Sequence, residues 1–181
     1  MKFIMKKFFV ALFIFLFIGN VFAGDIAIID LENIVKESVA FKRLNESLEK
    51  EKNSYQEKIK QREIELNAKR DDLQSKSSLL SQETLQQKGL EFQKEVLTFQ
   101  EEVKKKETEL QNKLVDGLSI LNNEVKIIVE DLLKEEQFKK YDKVANSALF
   151  IHYNKRDDLT LEVLKRLNKK NITLIKKNIK K

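Results

Sequence analysis

The sequence predicts an α+β chain in which one long antiparallel helical hairpin, a coiled-coil arm, is inserted into a small β-rich body. Three observations carry that reading. From Phe41 to Leu132 there is no proline, the only glycines are Gly89 and Gly117, and apolar residues recur at helical spacing among charges. Short strand-like runs stand on either side of that stretch, at Asp25 to Leu31 and at Ala148 to Tyr153. The apolar stripe also widens toward the end of the stretch, which places the body there and not at the far tip.

The chain begins with Lys2, Lys6 and Lys7, then runs from Phe8 to Ile18 without a polar residue and reaches Val21-Phe22-Ala23. A basic region, an apolar core and small residues at a cleavage site make a signal peptide over 1–23, with the mature chain exported from Gly24 onward. The apolar run is short for a membrane span; the alternative is an uncleaved anchor. Export places the protein outside the cytoplasm.

From Asp25 to Leu31 the β-branched apolar run reads as a buried strand, with Ile26 and Ile28 in the body core. A helical pattern begins at Glu32. In the outgoing arm Ile59, Leu66, Leu73 and Leu80 stand seven apart, beside a row of Phe41, Leu48 and Tyr55. Seven residues are nearly two turns, so each row runs almost straight along the helix. The partner positions are Arg62, Lys69 and Lys76, whose stems cover the seam while their heads reach water. Serines at 77, 78 and 81 favour caps over helix interiors and set the tip between Ser77 and Gly89. On the return Phe92, Val96, Phe99, Val103 and Leu110 complete the seam, with Lys106 filling a gap. After a one-step stutter at Leu114, the body-core positions Leu121, Val125, Ile128 and Leu132 follow, and the stripe broadens. Each arm of some forty residues is about 60 Å long, and one thin seam leaves it free to bend and splay at the tip.

Beyond Lys134, Phe138 to Val144 reads as a strand, Ala145-Asn146 as a turn, and Ala148 to Tyr153 as a second strand that supplies Leu149 and Ile151 to the core. A helix follows over Leu159 to Leu167, capped by Thr160, with Leu161, Leu164 and Leu167 on one face. The early and late strands pair only if the hairpin brings its ends together. The body is then 24–40 plus 115–168, the arm 41–114 and a basic tail 169–181. A body of about 70 residues is near the lower limit for a lone core, which calls for several chains to pool their cores.

Composition narrows the chemistry. There is no cysteine, hence no thiol nucleophile or thiolate metal site, and a single histidine, His152, sits in a strand-like run. The four glycines are isolated, so there is no phosphate-binding loop. Pairs such as Asp71-Asp72 and Glu101-Glu102 lie on solvated helix faces. The sequence thus points to a protein without enzymatic activity, cofactor or metal. The net charge of +6 belongs to the two ends: Gly24 to Leu164 holds 24 basic and 29 acidic residues. The acid-free tail, with Ile172, Ile175 and Ile179 spaced for one helical face, suits contact with anionic lipid, the alternative being a solvated end. Export argues against nucleic acid.

Four features together resemble the Skp/OmpH-like family of periplasmic chaperones: the signal peptide, the strand Asp25 to Asp30, the Lys/Glu/Gln-rich hairpin, and an ending that runs Tyr141-Asp142-Lys143-Val144, Ala148 to Tyr153 and Leu159 to Asn168. The resemblance implies a jellyfish-like homotrimer whose helical arms surround a cavity and hold unfolded outer-membrane proteins there without nucleotide. The departure is charge. Family arms are basic, whereas Lys42 to Lys113 has 16 basic and 15 acidic residues. Apolar residues outside the seam, Leu79, Leu90 and Leu97, are the candidate client contacts; the alternative is that they pack inside the hairpin. A structural coiled-coil spacer or adaptor of the envelope is the competing reading, and a cytosolic hairpin chaperone of the prefoldin sort conflicts with the signal peptide.

Overall fold

The computed structural model describes residues 24–174. The expected signal peptide, with Ile175 and Ile179 of the tail, lies outside the described residues. Strand β1 (Asp25–Ile29) pairs in parallel with β2 (Tyr141–Asn146), Ile26 opposite Lys143 and Ile28 opposite Ala145. Parallel strands need a crossover connection. Here the crossover is the whole hairpin. After β1 come a short helix α1 (Leu31–Glu37), the outgoing arm α2 (Val39–Ser75) and the returning α3 (Gln82–Leu132).

Local chemistry sets each boundary. Asp30 caps α1, its carboxylate accepting the Asn33 N–H at 2.9 Å. Ser38 separates α1 from α2. Its fully buried hydroxyl donates to the Val35 carbonyl at 2.8 Å and accepts the Phe41 N–H at 3.2 Å, so one side chain serves both helix ends. At the tip the chain reverses over residues 76–81, and Ser81 caps α3 by accepting the Thr84 N–H. Gly89 lies inside α3 and takes no part in the turn.

The core joins β1, α1, the base of α2, the last third of α3 and a final helix α4 (Thr160–Lys169). Ile34, Leu121, Leu132 and Val163 are almost wholly removed from water, and Ile28, Val125, Ile128 and Leu167 nearly so. Burial of each such side chain contributes about 1.5–3 kcal/mol. Leu44, at the base of the arm, belongs to this core.

The body departs from the expected β-rich design. Its sheet has two strands among the described residues, and helices form most of it. Phe138 closes a 3-10 turn, and Ala145 and Asn146 extend β2 instead of turning. Ala148 to Tyr153 forms no strand: Ser147–Leu149 is a 3-10 turn and an irregular segment follows. Tight two-residue hairpins need positive φ, and no described residue has it. Asn146 instead accepts the Ala148 N–H at 3.3 Å and starts the 3-10 turn. Three of the expected core residues are wrong for a single chain: Ile26 is exposed, Leu149 is 77% exposed, and Ile151 is fully exposed beside an exposed His152. Leu164 is half-buried against the core.

α4 also differs in detail. Leu161 points to solvent, and the buried face is Thr160, Val163 and Leu167. Thr160 is buried because its hydroxyl accepts the Asp30 N–H at 2.8 Å, a tie between distant segments and not a cap of its own helix. After α4 the chain turns back along α3. Lys170 pairs with Glu124 at 3.0 Å, and Leu174 is buried beside Gly117. Ile172 packs on the core.

The two helical glycines should respond oppositely to alanine. A Cβ at Gly89 meets open space, whereas one at Gly117 overlaps the Leu44 side chain and comes within 3.3 Å of the Leu174 carbonyl oxygen. Gly89→Ala should stabilise the chain by about 0.5–1 kcal/mol through helix propensity. Gly117→Ala should destabilise it by about 1 kcal/mol, overpacking outweighing that gain. Thermal melts of both variants check the pair.

Candidate functional site

The arms hold together by a thin seam. Of the seam residues only Leu66 is buried, at 8% exposure; Ile59, Leu73, Leu80, Phe92, Val96, Phe99, Val103 and Leu110 are half-buried. One apolar residue or so per heptad on α2 cannot cover the richer stripe on α3. The uncovered part is a groove of about 960 Å³ between the helices. Ile59, Leu66, Phe92, Val96, Phe99 and Val103 line it, with Glu63, Arg70, Lys104 and Glu107 among its charged walls.

Two ionic clasps brace the pair. Glu51 on α2 lies between Lys106, at 2.6 Å, and Lys113, at 2.7 Å, seven residues apart on α3. Glu95 on α3 lies between Lys69, at 2.5 Å, and Arg62, at 3.8 Å, seven apart on α2. The same motif, one glutamate between two bases two turns apart, is used once in each direction and fixes the antiparallel register. Glu109 joins the first clasp, accepting from Lys113 at 2.8 Å and Lys106 at 3.2 Å. Arg62 and Lys69 therefore reach across to a carboxylate as well as covering the seam, while Lys76 bonds within its own turn to Asp72.

Titration follows from these contacts. Hydrogen bonds from Lys106 and then Lys113 hold the Glu51 carboxyl below its ordinary 4.5. Glu109 is lowered by Lys113 and then Lys106. In turn Glu51 and then Glu109 raise Lys106, and Glu109 and then Glu51 raise Lys113.

The candidate contacts Leu79, Leu90 and Leu97 lie outside the seam; Leu79 at the tip is 82% exposed, and the other two are more than half exposed. Leu90 and Leu97 are turned about 160° around α3 from Phe92 and Phe99. Ile64 on α2 is equally exposed. Sequence reading passed over it because one isoleucine among charges has no periodic partner. Glu51, Glu95 and Lys113 were likewise unmarked; setting the two arms antiparallel and scanning for opposite charges would have found them. On the body, exposed Leu149, Phe150, Ile151 and Leu161 form a second apolar surface. Among the described residues no group of His, Cys, Asp or Glu is placed to hold a metal ion, and no helix is long and apolar enough to cross a membrane.

A pair of long helices rising from a small strand-paired body defines a class of hairpin-arm proteins. This chain belongs to the OmpH-like family: the family described as "Outer membrane protein (OmpH-like)" matches residues 25–167. An uncharacterised protein of Aquifex aeolicus (strain VF5) is 32% identical over 169 residues, spanning 93% of this chain and all of the relative. The crystal structure of an OmpH-like protein from Caulobacter crescentus CB15, described as a candidate outer-membrane chaperone, superposes with a TM-score of 0.72. It covers 86% of this chain and 92% of its own, at 15% identity, so the shared fold outlasts most of the sequence.

The first clasp has a definite pH dependence. Lowered carboxyls contribute stability that is present above their unfolded value and lost as pH falls through the folded one; the raised lysines contribute below their unfolded value and lose it in strong alkali. Glu51→Gln should therefore cost about 0.5–1 kcal/mol near neutral pH, a cost that shrinks as pH falls through the lowered carboxyl value. Urea melts of the two proteins across a series of acidic pH values measure the difference.

Proposed function

We propose that this protein is an ATP-independent holdase of the periplasm, exported by a cleavable signal peptide, that keeps unfolded outer-membrane proteins from aggregating. The observation that carries the reading is the set of unpartnered apolar side chains along the arms: Leu79, Leu90, Leu97 and Ile64 on the outside and the half-open seam within. A soluble hairpin that served only as a spacer has no use for exposed leucines at its tip and flanks. Many weak apolar contacts on arms that bend tolerate many client sequences. Without a fuel, binding the unfolded chain competes with its aggregation by mass action alone. Family membership supports the same reading.

The body surface of Leu149, Phe150 and Ile151 supports self-association, which we assign to a homotrimer with arms around a shared cavity. The near balance of 16 basic and 15 acidic residues between Lys42 and Lys113 makes capture mainly apolar. The lysines at 176, 177, 180 and 181 supply a contact with anionic lipid.

Light scattering of an unfolded outer-membrane barrel diluted from urea tests the function. The mature chain should suppress aggregation, and suppression should change little with added salt. Replacing Leu79, Leu90 and Leu97 together by serine should weaken holding by at least about fivefold, roughly 1 kcal/mol, with assembly unchanged. Equal suppression by the triple variant removes those residues from the client surface. Separately, Ile151→Asp should shift the sedimenting species to the monomer while leaving the helix content of the chain intact.

A further inference from the structure

We infer that the groove between α2 and α3 is a binding site within a single hairpin for one extended segment of client, taken in the manner of a β-strand with its apolar side chains down. The inference rests on the holdase reading and deepens it. It gives the client a seat inside each arm, distinct from the outer leucines and from any space between arms.

Length suits an extended segment. Along α3 the groove runs from Phe92 to Glu107, about 22 Å at 1.5 Å per residue, the length of roughly seven residues of strand. It is open along one side over that length, so one extended backbone can lie in it with the side chains of one face down.

Chemistry selects the same occupant. The floor is aliphatic and aromatic, whereas the walls carry Glu63 and Arg70 from α2 with Lys104 and Glu107 from α3. Strands of outer-membrane barrels alternate apolar and polar residues with a period of two. Such a strand lays its lipid-facing side chains on the floor and turns its polar ones toward the walls and water. Two acids and two bases set no preference for the client's charge, which suits a site that must accept many strands. A second copy of this chain is the weaker occupant. The apolar surface that would bring copies together, Leu149, Phe150 and Ile151, is on the body, whereas the groove lies beyond the Glu51 clasp toward the tip.

Absence of cysteine from the chain makes the test clean. Gln100→Cys and Asn67→Cys place a thiol in the exposed wall of the groove, and Glu101→Cys places one beside it on the outer side of α3. Each is labelled with a benzophenone maleimide and mixed with a urea-unfolded outer-membrane barrel. Under light, Gln100→Cys and Asn67→Cys should yield at least about fivefold more client adduct than Glu101→Cys, with the adducts mapping to strand segments. Equal yields from all three, with aggregation still suppressed, overturn the groove site and leave the holdase reading standing. Adducts to a second copy that client does not diminish overturn the choice of occupant. Failure of the unlabelled protein to suppress aggregation removes the holdase reading itself.

Discussion

The parallel pairing of β1 with β2 is the constraint on which the architecture depends. It ties the first described residues to a segment more than a hundred positions later and makes everything between them an excursion. Asp25 donates to the Lys140 carbonyl at 2.9 Å where the strands meet, and the Leu159 N–H donates to the Ile28 carbonyl at 2.8 Å on the other side of β1. β1 is thus held on both edges, by β2 and by the approach to α4. Two strands alone are marginal in water. This pair persists because Ala27 and Ile28 are covered by helices, and because the Thr160 hydroxyl takes the N–H of Asp30, just after the strand. Closing so long a loop has an entropic cost that rises only slowly with length, so a long insertion is tolerated once the body packs.

Burial changes along α3 in a way that separates two mechanical regimes in one helix. From Gly117 to Leu132 the stripe is closed by α1, α4 and the C-terminal strap, and its residues are lost to water. From Phe92 to Leu110 the same helix has only α2 for a neighbour among the described residues and remains half-wet. In that wet region polar braces replace packing. Each clasp, partly exposed, contributes modestly to stability; its larger effect is to fix register, since sliding one arm past the other would set each glutamate against the wrong side chains. The arm is therefore aligned without being sealed, which leaves apolar surface available along its length.

The helices were legible because their signals are local and periodic: serine at a tip or cap, heptad rows, a stripe that broadens where neighbours increase. β1 was legible from a compact β-branched run. Failures cluster where the controlling partner is distant. Leu149 and Ile151 read as core because apolarity says only that water is disfavoured, not which surface, of this chain or another, will do the covering. Asn146 looked like a turn residue, yet its side chain starts a 3-10 turn while its backbone stays in β2. Glu51 and Glu95 were hidden among thirty-one charges between Lys42 and Lys113, and became distinctive only once the arms were set side by side. Leu174 fell in a segment that composition marks as a solvated tail, although Gly117 opens a seat for it on α3.

One consequence follows from α3 being unbroken from tip to core. Gln82 and Gly117 belong to the same rod, about 53 Å apart. A turn of about 5° at Gly117 would carry a straight helix end of that length roughly 5 Å sideways even before any bending of the arm, a distance as wide as the spacing between neighbouring strands. The small body is in this sense the fulcrum of the molecule, and the position of the arm's far end is set from the buried end of the same helix.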